Sequence, residues 1–172
     1  IVSMLYNIQL LKYAGENGIA AYGVMMYVSF AFSGAFIGYS IGSAPLFGFH
    51  DGAQNHAELK SLLRKSLILI GIFAALMVIV GEALALPLSK IFVSYDAELL
   101  ELTVSGLRIY ALSFLFMGYA IFGSGFFTAL NDGVTSAIIS FLRTLVFQVA
   151  SVILQPLIWV IDGIWYSVVV AE

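Results

Sequence analysis

The sequence predicts an all-α fold, a polytopic bundle of membrane-spanning helices, and three observations predict it. The chain is 62% hydrophobic and only 10% charged, where an ordinary soluble domain is about one quarter charged, and its mean hydropathy is +1.04. Its apolar residues fall into about five long runs, and its seven Lys+Arg and ten Asp+Glu lie mostly in the gaps between them. The runs are long enough to matter: residues 19–49 and 109–131 contain no Asp, Glu, Lys or Arg, and about 20 such residues in a helix cross the roughly 30 Å hydrocarbon core of a bilayer.

Element by element, the expected helices are 1–13, 19–49, 62–86, 107–130, 134–154 and 164–172. The first reads as the tail of a span, closed by the polar turn Lys12, Gly15, Glu16, Asn17 and Gly18. The second is longer than one span needs and is expected to tilt or project past the headgroups, with Pro45 kinking or ending it. A polar loop at 50–64 follows. The third is closed by Pro87, and 90–105 is expected as an acidic connection holding Asp96, Glu98 and Glu101. In the fourth, Gly118, Gly123 and Gly125 are expected weak points where the helix bends. Asn131-Asp132-Gly133 has turn chemistry and opens the fifth, which ends at Gln155-Pro156. Asp162-Gly163 breaks the chain before the last run. Both ends look like cuts through a helix, so the chain is expected to be a partial lobe, 1–172, of a larger bundle.

Lys and Arg in short loops set orientation. The loop 50–65 carries Lys60, Arg64 and Lys65, while loops on the other side pair their cations with acids or carry Asp162 alone. Loop 50–65 is therefore expected on the cytoplasmic side of a plasma membrane, a bacterial inner membrane.

Several classes lose support. Net charge is −3 with no basic block, which speaks against a nucleic-acid partner. Cysteine is absent, and the two histidines, His50 and His56, lack a zinc spacing. No nucleophile–base pair or phosphate loop stands out, so neither catalysis nor a cofactor is expected.

Candidate functional residues are polar groups or helix-shaping residues at membrane depth. Arg143 lies about ten residues past Gly133, roughly 15 Å along a helix. A cation there costs several kcal/mol, on the order given by simulation and insertion scales, unless paired or hydrated. Its expected partners are backbone carbonyls or a carboxylate outside this chain, and the alternative is a coupling or gating role. Asn7, Gln9 and Gln148 are expected to bond between helices or line a cavity. Tyr110 and Tyr119 are deep rings suited to a flat cation, whereas Tyr6, Tyr13, Tyr22, Tyr95, Trp159 and Trp165 are expected in the interfacial belt. Gly34, Gly38 and Gly42 make a small-residue face, expected to pack on a neighbouring helix or let helices slide and bend. Glu82 is expected at the interface.

The order of these pieces resembles the second half of the multidrug and toxic compound extrusion (MATE) transporters. Tyr13-Ala14-Gly15-Glu16-Asn17-Gly18-Ile19 is similar to that family's seventh-to-eighth helix junction. Ala44-Pro45-Leu46-Phe47-Gly48-Phe49-His50-Asp51-Gly52-Ala53-Gln54-Asn55 is similar to its Q-P-x-x-S-Y-N-Y-G-A-x-N stretch, with the Gln and the Ser-Tyr-Asn run replaced. Leu107-Arg108-Ile109-Tyr110, Phe126-Phe127-Thr128-Ala129-Leu130-Asn131-Asp132-Gly133 and Ser140-Phe141-Leu142-Arg143 resemble its tenth and eleventh helices. Asp162-Gly163-Ile164-Trp165 matches the start of the twelfth.

The resemblance implies twelve helices in two lobes around a central cavity that opens alternately to each side. It implies a secondary antiporter that exports organic cations or related amphiphiles in exchange for Na⁺ or H⁺, with an N-terminal six-helix lobe as partner. No ion ligand carries over, because residues 114–122 hold no acid. The alternatives are a lipid-linked-sugar flippase of the same superfamily and a membrane scaffold subunit that transports nothing.

Overall fold

A computed structural model describes residues 2–172. The described residues form seven α-helices and one π-helical turn: α1 (Val2–Gly52), α2 (His56–Val93), α3 (Ala97–Ala111), α4 (Phe114–Ala129), α5 (Gly133–Phe141), the π turn (Leu142–Phe147), α6 (Gln148–Leu154) and α7 (Pro156–Ala171). Three helical stretches are long and apolar enough to cross a membrane, namely α1, α2 and the continuous Gly133–Leu154. A fourth forms if α3 and α4, which meet at 50°, count as one bent span. This is the multi-pass helical bundle that composition and run length predict, and it leaves many large apolar side chains exposed.

α1 contains two of the expected helices. The polar turn between them shrinks to one residue, Gly15, at φ 62° and ψ −152°. No side chain would collide there, since an added Cβ meets nothing within 4 Å. The requirement is torsional, because an L-residue in that region is strained. Pro45 does not end the helix, which runs on to Gly52, and Pro87 likewise lies inside α2. Neighbouring helices and local adjustment satisfy the carbonyl a proline frees in lipid.

The connections are short and capped. Asn55 accepts from the Glu58 backbone N–H at 3.2 Å to start α2. Asp96 accepts from Glu98 and Leu99 at 2.9 and 3.1 Å to start α3. The acidic stretch expected as a loop is therefore helix on both sides of Ser94-Tyr95-Asp96, with Glu98 and Glu101 in the first turns of α3, where the helix dipole favours negative charge. Asp132 caps α5 by accepting from the Thr135 backbone N–H at 3.1 Å and the Thr135 hydroxyl at 2.6 Å. Glu82 pairs loosely with Arg108 across α2 and α3 at 3.8 Å.

The fourth expected helix breaks at Leu112-Ser113, not at its glycines. Two of those glycines, Gly118 and Gly125, permit contact, while Gly123 meets open space. An added Cβ at Gly118 would lie 2.6 Å from the Phe36 ring, and one at Gly125 would strike Ser40, so both let α4 approach α1. Nor does Asp162-Gly163 break the last element. The irregular residues are Trp159 and Val160, the latter at φ 51°, and Gly163 gives room for the chain to fold back, since its Cβ would strike the Gln155 carbonyl.

Two apolar clusters hold the bundle. The larger joins α1, α3, α4, α6 and α7 through Tyr6, Leu10, Met25, Leu107, Phe114, Val152 and Trp165. The smaller packs Phe36 and Phe47 of α1 against Ile70, Ala74 and Phe122. Tyr6, Tyr22 and Trp165 are thus core residues and not belt residues. Tyr6 and Tyr22 stack at 5.0 Å, the Tyr6 hydroxyl meets Ser167 Oγ at 2.8 Å, and Trp165 fills the space left by Gly106. Tyr95 and Trp159 are exposed.

Candidate functional site

A cleft of about 440 Å³ opens where α1, α3, α4, the π turn, α6 and α7 converge. α1 supplies Tyr22, Met26, Ser29, Phe30 and Ser33 at the three- and four-residue intervals of one helical face. Tyr110 of α3 lies opposite and donates from its hydroxyl to Ser29 Oγ at 3.0 Å, which ties the two helices across the floor. Gln148 of α6 and Thr144 of the π turn complete the polar part of the wall.

The cleft is closed on one side by an ion pair. Arg143 Nη2 donates to Glu172 Oε1 at 2.6 Å, and Arg143 Nε lies 2.5 Å from Glu172 Oε2. The guanidinium therefore meets the carboxylate through one charge-assisted hydrogen bond and a second close ionic contact. The Glu172 side chain is 7% exposed and that of Arg143 26%. A π-helical turn carries Arg143, and such register shifts inside α-helices recur at functional sites. A second hollow of about 440 Å³, lined by Phe116, Tyr119, Ile139 and Phe147, shares the same pair. Arg143 and Glu172 thus stand between two hollows.

Of the residues picked from sequence, Arg143, Tyr110 and Gln148 meet in the first cleft. Tyr119 lies in the second, reaching so close to Gly71 that a Cβ there would collide with its hydroxyl. Asn7 is exposed and lines neither. Gly34, Gly38, Gly42 and Pro45 are exposed on α1, where an added Cβ at any of the three glycines meets nothing within 4 Å. Among the described residues the three glycines touch no neighbouring helix, and α1 stays helical through all four positions.

Glu172 escaped sequence reading. The partner of Arg143 is a carboxylate of this chain, not one outside it. The available signal was physical: a deep cation requires a counter-charge, and Glu172 follows an apolar run. Ser29 and Tyr22 also escaped, since a lone serine or tyrosine on an apolar face gives no pattern.

The family model described as MatE matches residues 1–156. Solved structures match in fold. One is described as the outward-facing conformation of a multidrug resistance MATE family transporter of the MOP superfamily, with TM-score 0.90 and 19% identity, covering 99% of this chain and 38% of that one. The Vibrio cholerae MATE transporter VcmN in a bent form gives TM-score 0.89 and 22% identity over 98% and 38%. A MATE protein in complex with MaL6 gives 0.89 and 18% over 99% and 39%. The chain thus spans less than two fifths of these proteins. No curated protein matches it.

Proposed function

The chain belongs to the MatE family, and from that premise we propose that it forms the C-terminal lobe of a secondary antiporter that exports organic cations or related amphiphiles in exchange for Na⁺ or H⁺. The observation that carries this reading is the cleft. It is open, walled by Phe30, Tyr22 and Met26 with hydroxyls between them, and closed by an internally neutralised ion pair. Aromatic faces attract a flat cation, and the serine hydroxyls and Gln148 offer it dipoles without fixed charge. A wall of this kind encloses a solute only when a second wall faces it, so the partner is an N-terminal lobe of the same transporter. The two rock about the bilayer midplane and open to each side in turn. Residues 50–65, which the fold makes the end of α1 and the start of α2 and not the expected loop, lie on the cytoplasmic side of the plasma membrane.

The π turn gives Arg143 its role in this scheme. It swings the guanidinium toward α7, where Glu172 holds it, so that α6 and α7 move as one unit beside the cleft. The lipid-linked-sugar reading rests on a cationic cavity, and Glu172 cancels the charge of Arg143. No observation favours a scaffold.

The test is efflux. The full-length protein in an efflux-deficient host is expected to lower ethidium retention, and collapse of the sodium or proton gradient to abolish the effect. Gradient-independent retention, equal to that of cells with an empty vector, contradicts the proposal.

A further inference from the structure

The first three turns of α2 carry a second site, remote from the cleft. Ala57, Lys60, Ser61, Arg64, Lys65 and Ile68 line a groove of about 470 Å³. Their spacing (i, i+3, i+4, i+7, i+8, i+11) places them on one helical face. Lys60, Arg64 and Lys65 are exposed. Among the described residues the ion pairs are Arg108–Glu82 and Arg143–Glu172, so none of these three cations has a carboxylate within 4.0 Å. Glu58 begins the same helix but pairs with none of them.

Directly beyond the cations the same face turns apolar. Ile68, Ile72, Leu76 and Ile79 are exposed and lie within about 80° of one another around the helix, at 100° per residue. From Ile68 to Ile79 the stripe is about 16 Å long, close to the roughly 15 Å depth of one leaflet's hydrocarbon. Three unpaired cations and a hydroxyl thus sit where headgroups begin, above an apolar track one acyl chain long.

We propose that the start of α2 binds the phosphate of an anionic glycerophospholipid, with an acyl chain along Ile68, Ile72, Leu76 and Ile79. A soluble anion would use the cations and leave the track unused. A zwitterionic lipid would use the track but bring an ammonium group to a face that already holds three positive charges. The occupant that satisfies both halves carries net negative charge and a long chain. This site does not depend on what the cleft carries.

The experiment places the intact membrane-embedded protein in discs of equal phosphatidylglycerol and phosphatidylcholine with the same acyl chains. Retained lipids are then counted by native mass spectrometry. Phosphatidylglycerol is expected to be retained preferentially, by roughly fivefold per cation and on the order of a hundredfold for all three. Lys60→Gln, Arg64→Gln and Lys65→Gln together should erase the preference, and Lys90→Gln at the far end of α2 should leave it unchanged. If the triple variant does not fold, Arg64→Gln alone should lower the preference about fivefold, and added KCl should weaken it in the parent protein. Equal retention of the two lipids, or a preference untouched by these substitutions, overturns the proposal. Complete displacement of the lipid by millimolar inorganic phosphate also overturns it, by making the groove a site for a soluble anion.

Discussion

Removing either partner of the Arg143–Glu172 pair is expected to cost more than removing both. Arg143→Met leaves a carboxylate that is 7% exposed without its counter-charge, and breaking a buried pair from one side costs about 3–5 kcal/mol. Replacing both charges by apolar groups of similar volume is often neutral. Thermal unfolding of the full-length transporter in detergent should therefore rank Arg143→Met and Glu172→Met well below the parent, with the double variant near it. A double variant as unstable as either single one would deny that the two side chains act as a pair. Glycines separate just as cleanly by what surrounds them. Gly106→Ala would press on Met25 and on Trp165, whose Cε2 would lie 2.9 Å away, so a loss of about 1–3 kcal/mol is expected from overpacking. Gly38→Ala meets open space and should lose nothing, gaining up to about 1 kcal/mol from helix propensity. The same unfolding measurement checks both. Spacing alone pointed to Gly34, Gly38 and Gly42, yet the tightest glycine contacts lie at Gly125, Gly106, Gly163 and Gly71. Sequence records that a side chain is small, not what stands opposite it.

At the scale of the element, α5 has a pH-sensitive start. The Thr135 hydroxyl, and then the Thr135 backbone N–H, hold the Asp132 carboxyl below its ordinary range. Because the folded value is depressed, the stabilisation is fully present above the ordinary value of 3.8 and is lost as pH falls through the folded one. Amide exchange in the first turn of α5 should therefore quicken only below about pH 4. Asp132→Asn, which keeps a capping oxygen but cannot titrate, should remove that pH dependence. If the parent frays equally at about pH 2 and pH 7, the cap does not act through the carboxylate. This boundary was legible, since Asn131-Asp132-Gly133 is a strong turn signal. The break at Leu112-Ser113 was not. Neither residue is a breaker, and the bend sits where Phe114 and Ala111 pack into the core, so tertiary packing decided what local preference left open. The prolines misled as terminators: Pro45 and Pro87 carry a strong local signal, yet α1 and α2 run on past them.

For the molecule as a whole, topology is the decisive measurement. The chain has no cysteine, so Gln54→Cys, Tyr95→Cys and Asn131→Cys each give a unique label. α2 is 38 residues long, about 57 Å, and Gln54 and Tyr95 are expected on opposite sides of a sealed vesicle. Asn131 is expected with Gln54, because α3 and α4 together cross as one bent span. An Asn131 label on the Tyr95 side would make α3–α4 a re-entrant pair instead. Run length made the bundle itself legible, but no run length could show that its first and last segments touch, as Tyr6 and Ser167 do at a separation of 161 residues. That closure bears on how the cell makes the chain. Arg143 leaves the ribosome 29 residues ahead of Glu172, about 1 to 6 s earlier at ordinary translation speed. For that interval a bare guanidinium must wait in the insertion machinery or at the membrane rim. The pair therefore closes only once the segment that carries Glu172 has been made, and that segment neutralises what came before it.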